Sequence, residues 1–430
     1  MQREIYGIKV WTLAVVLGII GAAQYLGVLS ADLVGAMALF LAIGFVSGYI
    51  GDNLPIWKDF IGGGSIMAYF FGALIVKYGL LPEATITLGK TFIGKWNYLN
   101  LFIATLIAGS VLSVERKLLI RAVTGYIPAI LAGIVGAAVF GIGAGLLVGI
   151  DYKRILCEYV LPIMGGGVGA GALPLSDMFA AVTGQDKKEF LSIAMPVLTM
   201  GNIFAILFGA FSVTLGKLFP SLNGNGELVK RGAGLPEETP VEDAKPSLDE
   251  IGIGFLVIFA LYFFSVIVSK KLLPKIFGVG IHPFAYMVFF AFLCNVCSVF
   301  SRKTIAGLRI LQKFFAGPLL MLLMLTAGMA YLDLNAVISA LTWQNMFVSF
   351  AIVLGCYVFC GAFAMLINFY PIETAITAGL CMANTGGTGD VAVLGAAKRM
   401  SLMSFAQISS RIGGGIVLLL ASVCFALFTK

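Results

Sequence analysis

One histidine stands in 430 residues, at position 282. A histidine proton relay or a histidine-based metal cluster therefore has no ligands to draw on. Charge is scarce too: 11% of residues are Asp, Glu, Lys or Arg, against about 25% in an ordinary soluble domain. With 60% hydrophobic residues and a mean hydropathy of +1.01, the chain lacks the polar surface that a water-soluble fold needs. The seven cysteines, five of them inside apolar runs, read as small apolar residues rather than a disulfide framework. No GKS or GKT follows either glycine cluster, which excludes a Walker phosphate loop. A membrane-embedded enzyme would need a nucleophile with a base, or a metal set, and neither is evident. The chain is read as a non-enzyme without a cofactor. The first residues carry no small-residue cleavage site, and the apolar run behind them is long enough to span, so it is expected to stay as an anchor.

What the chain does have is apolar runs of membrane length. Candidate spans are 8–29, 31–51, 59–79, 98–115, 118–150, 186–217, 250–270, 281–300, 315–333, 344–369 and 402–428, eleven in all. The net charge of +7 sits in short loops between them. There it acts as a topology determinant, not as a nucleic-acid footprint. With the N-terminus in the cytoplasm, sixteen of the 28 Lys and Arg fall inside and eleven outside, and Arg411 lies within a span. An odd number of spans then puts the C-terminus outside. The cluster Lys270, Lys271 and Lys275 runs against this bias. The long polar stretch 218–249, rich in Gly, Pro and acids, reads as a flexible cytoplasmic linker.

Two apolar segments are poor candidates for plain helices. LPIMGGGVGAGALPLS covers 161–176 and AGLCMANTGGTGDVAVLGAA covers 378–397. Glycine inside a helix costs about 1 kcal/mol relative to alanine, so four within five residues should unwind it. Unwound backbone at membrane depth must be buried in protein or line a watery cavity. The run Gly166-Gly167-Val168-Gly169 aligns with Gly386-Gly387-Thr388-Gly389 at an offset of 220. Setting span 1 (residues 1–30) aside, a first repeat over 31–217 contains a hairpin at 152–184. A second over 250–430 contains a hairpin at 371–398. Five spans per repeat is odd, so the second copy must be inverted. Inverted repeats with broken helices mark secondary transporters, and half-helix N-termini attract anions. The expected fold is thus an all-α membrane protein of about eleven transmembrane helices, built from two inverted repeats with re-entrant, glycine-tipped hairpins.

Arg411, in FAQISSRIGGGIVL, is surrounded by apolar sequence. Such an arginine must face a partner or an aqueous cavity, and its guanidinium suits a two-pronged grip on carboxylate. Ser409 and Ser410 are adjacent hydroxyls. Asp390 follows the second cluster, where it either complements a helix start or serves a cation or proton. Asn384, Thr388 and the freed carbonyl of Met382 offer oxygen ligands for a small cation. Glu373 after Pro371 fits a helix start. Asn202 and Asn295 are mid-span and suit interhelical hydrogen bonds.

PIETAITAGLCMANTGGTGD followed by FAQISSRIGGGIVL, together with MGGGVGAGALPLS, resembles the bacterial 2-hydroxycarboxylate transporter family over essentially the whole chain. The resemblance implies eleven helices, two re-entrant hairpins, a homodimer, and elevator-like movement of a transport domain. It also implies that substrate is bound by the hairpin tips and the arginine of the last helix: Gly167, Gly169, Gly387, Thr388, Ser410 and Arg411. Sodium–citrate carriers of this family have asparagine at the position of Val168, arginine at that of Thr385 and serine at that of Thr388. Loss of one arginine disfavours citrate and suits malate or lactate; loss of the asparagine leaves sodium or proton coupling open. The expected activity is symport or exchange of 2-hydroxycarboxylates, malate first, across the bacterial inner membrane. Sodium–citrate symport and an organic-anion channel are the alternatives.

Overall fold

The computed structural model describes residues 4–5, 7–55, 57, 63–113, 125–230, 246–272, 283–332, 334–386 and 388–428. His282 and several orientation charges, among them Lys58, Arg116, Lys117, Arg121 and Lys275, lie outside the described residues. Among the described residues the regular structure is helical apart from a short antiparallel ladder pairing Glu4–Ile5 with Ile8–Lys9 and one isolated bridge between Val229 and Phe369.

Among the described residues, six helices are long and apolar enough to cross a bilayer: Leu33–Asn53, Tyr126–Leu147, Lys187–Leu218, Leu248–Leu272, Trp343–Ala364 and Phe405–Phe428. The pair Arg302–Ala316 and Pro318–Tyr331, bent by 44°, counts as a seventh if taken as one span. Several other expected spans are shorter helices: Val10–Tyr25 and Gly63–Tyr78 have 16 residues each, and Tyr98–Leu112 has 15. Sixteen residues of α-helix reach about 24 Å, less than a hydrocarbon core of about 30 Å. The chain is a multi-pass membrane protein whose helices vary in length.

Local sequence fixes the helix starts. The carboxylate of Asp32 accepts the Gly35 N–H at 3.0 Å. Ser247 and Glu250 form a reciprocal capping box at the head of Leu248–Ile267. Ser301 and Thr342 cap Arg302–Ala316 and Trp343–Ala364 through side-chain oxygens.

Two amphipathic helices punctuate the apolar ones, Glu83–Ile93 and Arg302–Ala316. Each lies between a pair of shorter apolar helices. Packing exchanges partners between the halves: Pro318–Tyr331 packs on Leu33–Asn53, Gly63–Tyr78 and Glu83–Ile93, while Tyr98–Leu112 packs on Leu248–Ile267, Pro283–Val296 and Arg302–Ala316. Between these groups, Tyr126–Leu147 crosses Trp343–Ala364. The crossing is made at Gly136 and Gly355, where a Cβ on either would collide with the other's carbonyl oxygen. Phe140 and Phe359 close over it at 6.1 Å, edge to face. Small residues are what allow two backbones this close in lipid.

The beginning of the stretch read as a linker is folded. Residues 220–222 form a turn of 3-10 helix, and the next residues lie against the base of the second hairpin. Residues 231–245 are outside the described residues.

Candidate functional site

Two broken helices meet at their glycine-rich turns. The first runs over 152–164, turns at 165–167 and resumes as Val168–Thr183. The second runs over 371–380, turns through 381–386 and resumes as Thr388–Ala396. Gly166 and Gly386, equivalent at the 220-residue offset, both take left-handed backbone, with φ of +77° and +81°. Only glycine adopts such geometry without strain. The tips touch: the Val168 N–H donates to the Thr385 carbonyl at 3.4 Å. A Cβ on Gly167 would stand 2.7 Å from that same oxygen. The first tip also abuts the last helix, since a Cβ on Gly414 would lie 2.7 Å from the Gly165 carbonyl. Wide helical turns with i→i+5 hydrogen bonds occur in both first arms, at Ile155–Val160 and Ala375–Leu380. Another lies at Ser409–Gly413 around Arg411. Such turns are associated with functional sites.

The tips help line a cavity of about 480 Å³, a size suited to a small ligand. One wall is formed by Gly166–Ala170, Thr385, Gly386, Asp390, Gln407, Ser410 and Arg411. The rest of the lining comes from other helices and includes Asp52, Ser65, Phe102, Ser110, Gln312 and Met321. Arg411 is half-buried and is the one cation among the described lining residues; Asp52 and Asp390 are the acids there. The Arg309 guanidinium stands within electrostatic reach of Arg411 and donates to the Ser113 carbonyl at 3.0 Å.

Asp390 is 1% exposed. Its carboxylate accepts the Ser410 hydroxyl at 2.9 Å and the Asn384 amide at 3.0 Å. The Asn384 carbonyl in turn accepts the Gly386 N–H at 2.7 Å, so the aspartate and the second tip are held by one asparagine. The Ser410 hydroxyl also reaches the Cys381 carbonyl at 3.0 Å. This buried group of oxygens has the hard-ligand character that a small cation or a proton requires.

Of the sequence-predicted residues, Gly167, Gly169, Ser410, Arg411 and Asp390 all line the cavity, and Asn384 braces it from behind. Met382 is buried behind the tip, its sulfur beside Gly413. Gly387 lies outside the described residues; Thr388 opens a helix, with its side chain outside them. Ser409 bonds the Tyr126 hydroxyl at 2.7 Å and is absent from the cavity wall. Glu373 starts a half-helix after Pro371. Its carboxylate is fully buried, accepts the Gly224 N–H at 2.8 Å and pairs with Arg399 at 3.1 Å.

Four residues enter that sequence reading did not place at a site. Asn202 accepts both the N–H and the hydroxyl of Thr385, at 3.1 and 3.2 Å. Asp52 holds the Gly64 N–H at 2.6 Å and faces the cavity; an acid closing an apolar run was its signal. Arg309 and Gln312 share a face of Arg302–Ala316, three residues apart, which its amphipathic period could have revealed.

The family model described as the 2-hydroxycarboxylate transporter family matches residues 5–423. The chain is 44% identical over 427 residues to a citrate/sodium symporter of Salmonella typhimurium, covering 99% of this chain and 96% of the relative. It is 32% identical to the malate transporter MleP of Lactococcus lactis, covering 99% of each. It is 30% identical to the citrate transporter CitP of Leuconostoc mesenteroides, covering 91% of this chain and 86% of that protein. The chain belongs to the 2-hydroxycarboxylate transporter family.

Proposed function

We propose that this chain is a homodimeric secondary carrier of 2-hydroxycarboxylates that takes malate in preference to citrate and works by an elevator movement. The observation that carries the reading is the convergence of both hairpin tips, Arg411 and the Asp390–Ser410–Asn384 cluster on one cavity. Arg411 grips one carboxylate in bidentate fashion, and the backbone N–H groups of the tips meet another. The described lining offers one cation and two acids, a balance that suits a dianion better than a trianion. Thr385, placed where the resemblance expects arginine in citrate carriers, is turned onto Asn202 and brings no charge.

The coupling ion, Na+ or H+, is assigned to the oxygens around Asp390 and travels as co-substrate. Both halves repeat the order long helix, short helix, amphipathic helix, short helix, 22-residue helix, broken hairpin, last helix. That order, with the partner exchange in packing, supports two inverted repeats and the eleven-helix count. The cation bias supports a cytoplasmic N-terminus and an external C-terminus.

The citrate/sodium symporter relatives favour a second reading, sodium-coupled citrate uptake. Purified carrier in proteoliposomes, given radiolabelled malate, lactate or citrate under imposed sodium or proton gradients, separates the two. Gradient-driven, saturable malate uptake is expected. A clear citrate preference supports the second reading, and no uptake of any of the three overturns both.

A further inference from the structure

Gln407 is exposed and lines the transport cavity. It stands on Met403–Ile408, one turn before Arg411, which lines the same cavity. Residues four apart on a helix have Cβ atoms about 5–6 Å apart. Gln407 and Arg411 thus present a neutral amide and a cation side by side to one small volume. The Gln407 side chain has no hydrogen-bond partner among the described residues, although a primary amide carries two donors and an acceptor. Hydroxyls of the lining donate their protons within the protein: Ser110 to the Ile107 carbonyl, Thr385 to Asn202 and Ser410 to Asp390. Water serves the exposed amide while the cavity is open. A substrate that displaces this water must replace its hydrogen bonds or bind weakly.

The shape of an amide restricts what can replace them. It holds its oxygen and its N–H groups side by side in one plane. A 2-hydroxycarboxylate offers the complement on adjacent carbons: a hydroxyl that donates and a carboxylate oxygen that accepts. A plain ionised carboxylate has no donor, and a 2-oxo acid presents acceptors only. Either would leave the amide oxygen unpaired once water is excluded. We propose that Gln407 is the specificity residue for the 2-hydroxycarboxylate group, its Oε1 accepting the substrate hydroxyl and its Nε2–H donating to the adjacent carboxylate, beside the Arg411 anchor. The inference rests on the carboxylate-transport reading above and names the residue that separates hydroxy acids from their plain and 2-oxo counterparts.

Sites built to bond a substrate hydroxyl reject the analogue without it, because the site's own polar group is then left unpaired. The test uses acids that differ at that one position as competitors of radiolabelled uptake in proteoliposomes: malate with succinate, citrate with tricarballylate, and 2-hydroxyglutarate with 2-oxoglutarate. The wild type should prefer the hydroxylated member about tenfold or more. Gln407→Leu should lower the affinity for the hydroxylated member about tenfold and that for its counterpart far less, so the ratio falls toward one. Gln407→Met, unbranched like glutamine but without an amide, should behave alike and covers a folding defect peculiar to leucine. An unchanged ratio in these variants overturns the proposal: equal losses would mean that Gln407 serves a carboxylate alone, and no losses that it does not meet the substrate. A wild type that does not separate the pairs overturns it too. If the wild type moves none of these acids, it is the transport reading that has failed.

Discussion

Arg411 is a costly residue for a membrane helix to carry. A central arginine in a membrane helix costs about 2.5–3.5 kcal/mol on insertion scales, and this one is half-buried at a cavity wall. Lysine keeps the charge but loses the planar fork. Hydrogen bonds to charged groups contribute about 1.5–3 kcal/mol each, so Arg411→Lys should cut malate uptake on the order of tenfold to a hundredfold at unchanged membrane abundance. Radiolabelled uptake normalised to immunoblot signal checks it, and normal uptake would remove Arg411 as the anchor. Asp390→Asn preserves size and most hydrogen bonding to Ser410 and Asn384 while deleting the negative charge. Residual malate flux in that variant should no longer respond to the ion gradient. Gly167 tests the tip itself. At φ +114°, with a Cβ 2.7 Å from the Thr385 carbonyl and 2.8 Å from Gly386 Cα, alanine there should reduce uptake at least tenfold. Gly395→Ala, with nothing within 4 Å, serves as the neutral control in the same assay.

At the scale of elements, the base of the second hairpin shows how the two halves are tied. The Glu373 carboxylate takes the N–H groups of Gly224 and Gly226, at 2.8 and 3.3 Å, and the Arg399 guanidinium at 3.1 Å. Arg399 bonds the Asn223 side chain at 2.8 Å in the same clasp. The segment that follows Lys187–Leu218 is thereby fastened to both ends of the hairpin, Pro371–Thr374 and the residues after Thr388–Ala396. Removing one partner of a buried, hydrogen-bonded pair leaves the other exposed to a desolvation penalty. Glu373→Gln should lower the apparent melting temperature of the purified carrier. A cycle with Arg399→Gln should show a coupling of about 0.5–3 kcal/mol, read from stability, with additive losses counting against the clasp.

The same clasp shows what a sequence can and cannot disclose. Glycine clusters inside apolar runs, and an arginine among leucines, break local expectation and so point to themselves. Helices Glu83–Ile93 and Arg302–Ala316 break nothing: they are too polar for a span window and too regular for a loop. Asn202 and Gln312 are ordinary mid-helix amides until the fold brings Thr385 or a cavity to them, across 183 residues in the case of Asn202. Residues 220–230 read as loop because their order comes from Glu373, about 150 residues away, and not from any period of their own.

For the whole molecule, the elevator reading divides the helices into a body that carries the site and a body that stays. The hairpins, Lys187–Leu218 and Phe405–Phe428 belong with the site; Leu33–Asn53, Gly63–Tyr78, Tyr98–Leu112 and Pro283–Val296 belong with the frame. The contact between Pro283–Val296 and the last helix then lies on the sliding surface. A Cβ on Gly415 would stand 3.7 Å from the Val288 Cβ, which matches the spacing of about 3.8 Å in a disulfide. With the seven native cysteines replaced, Val288→Cys with Gly415→Cys should transport while reduced, stop on mild oxidation and recover with dithiothreitol. Uptake that survives the cross-link would mean that this interface does not slide and that the site is reached by gating around a fixed core.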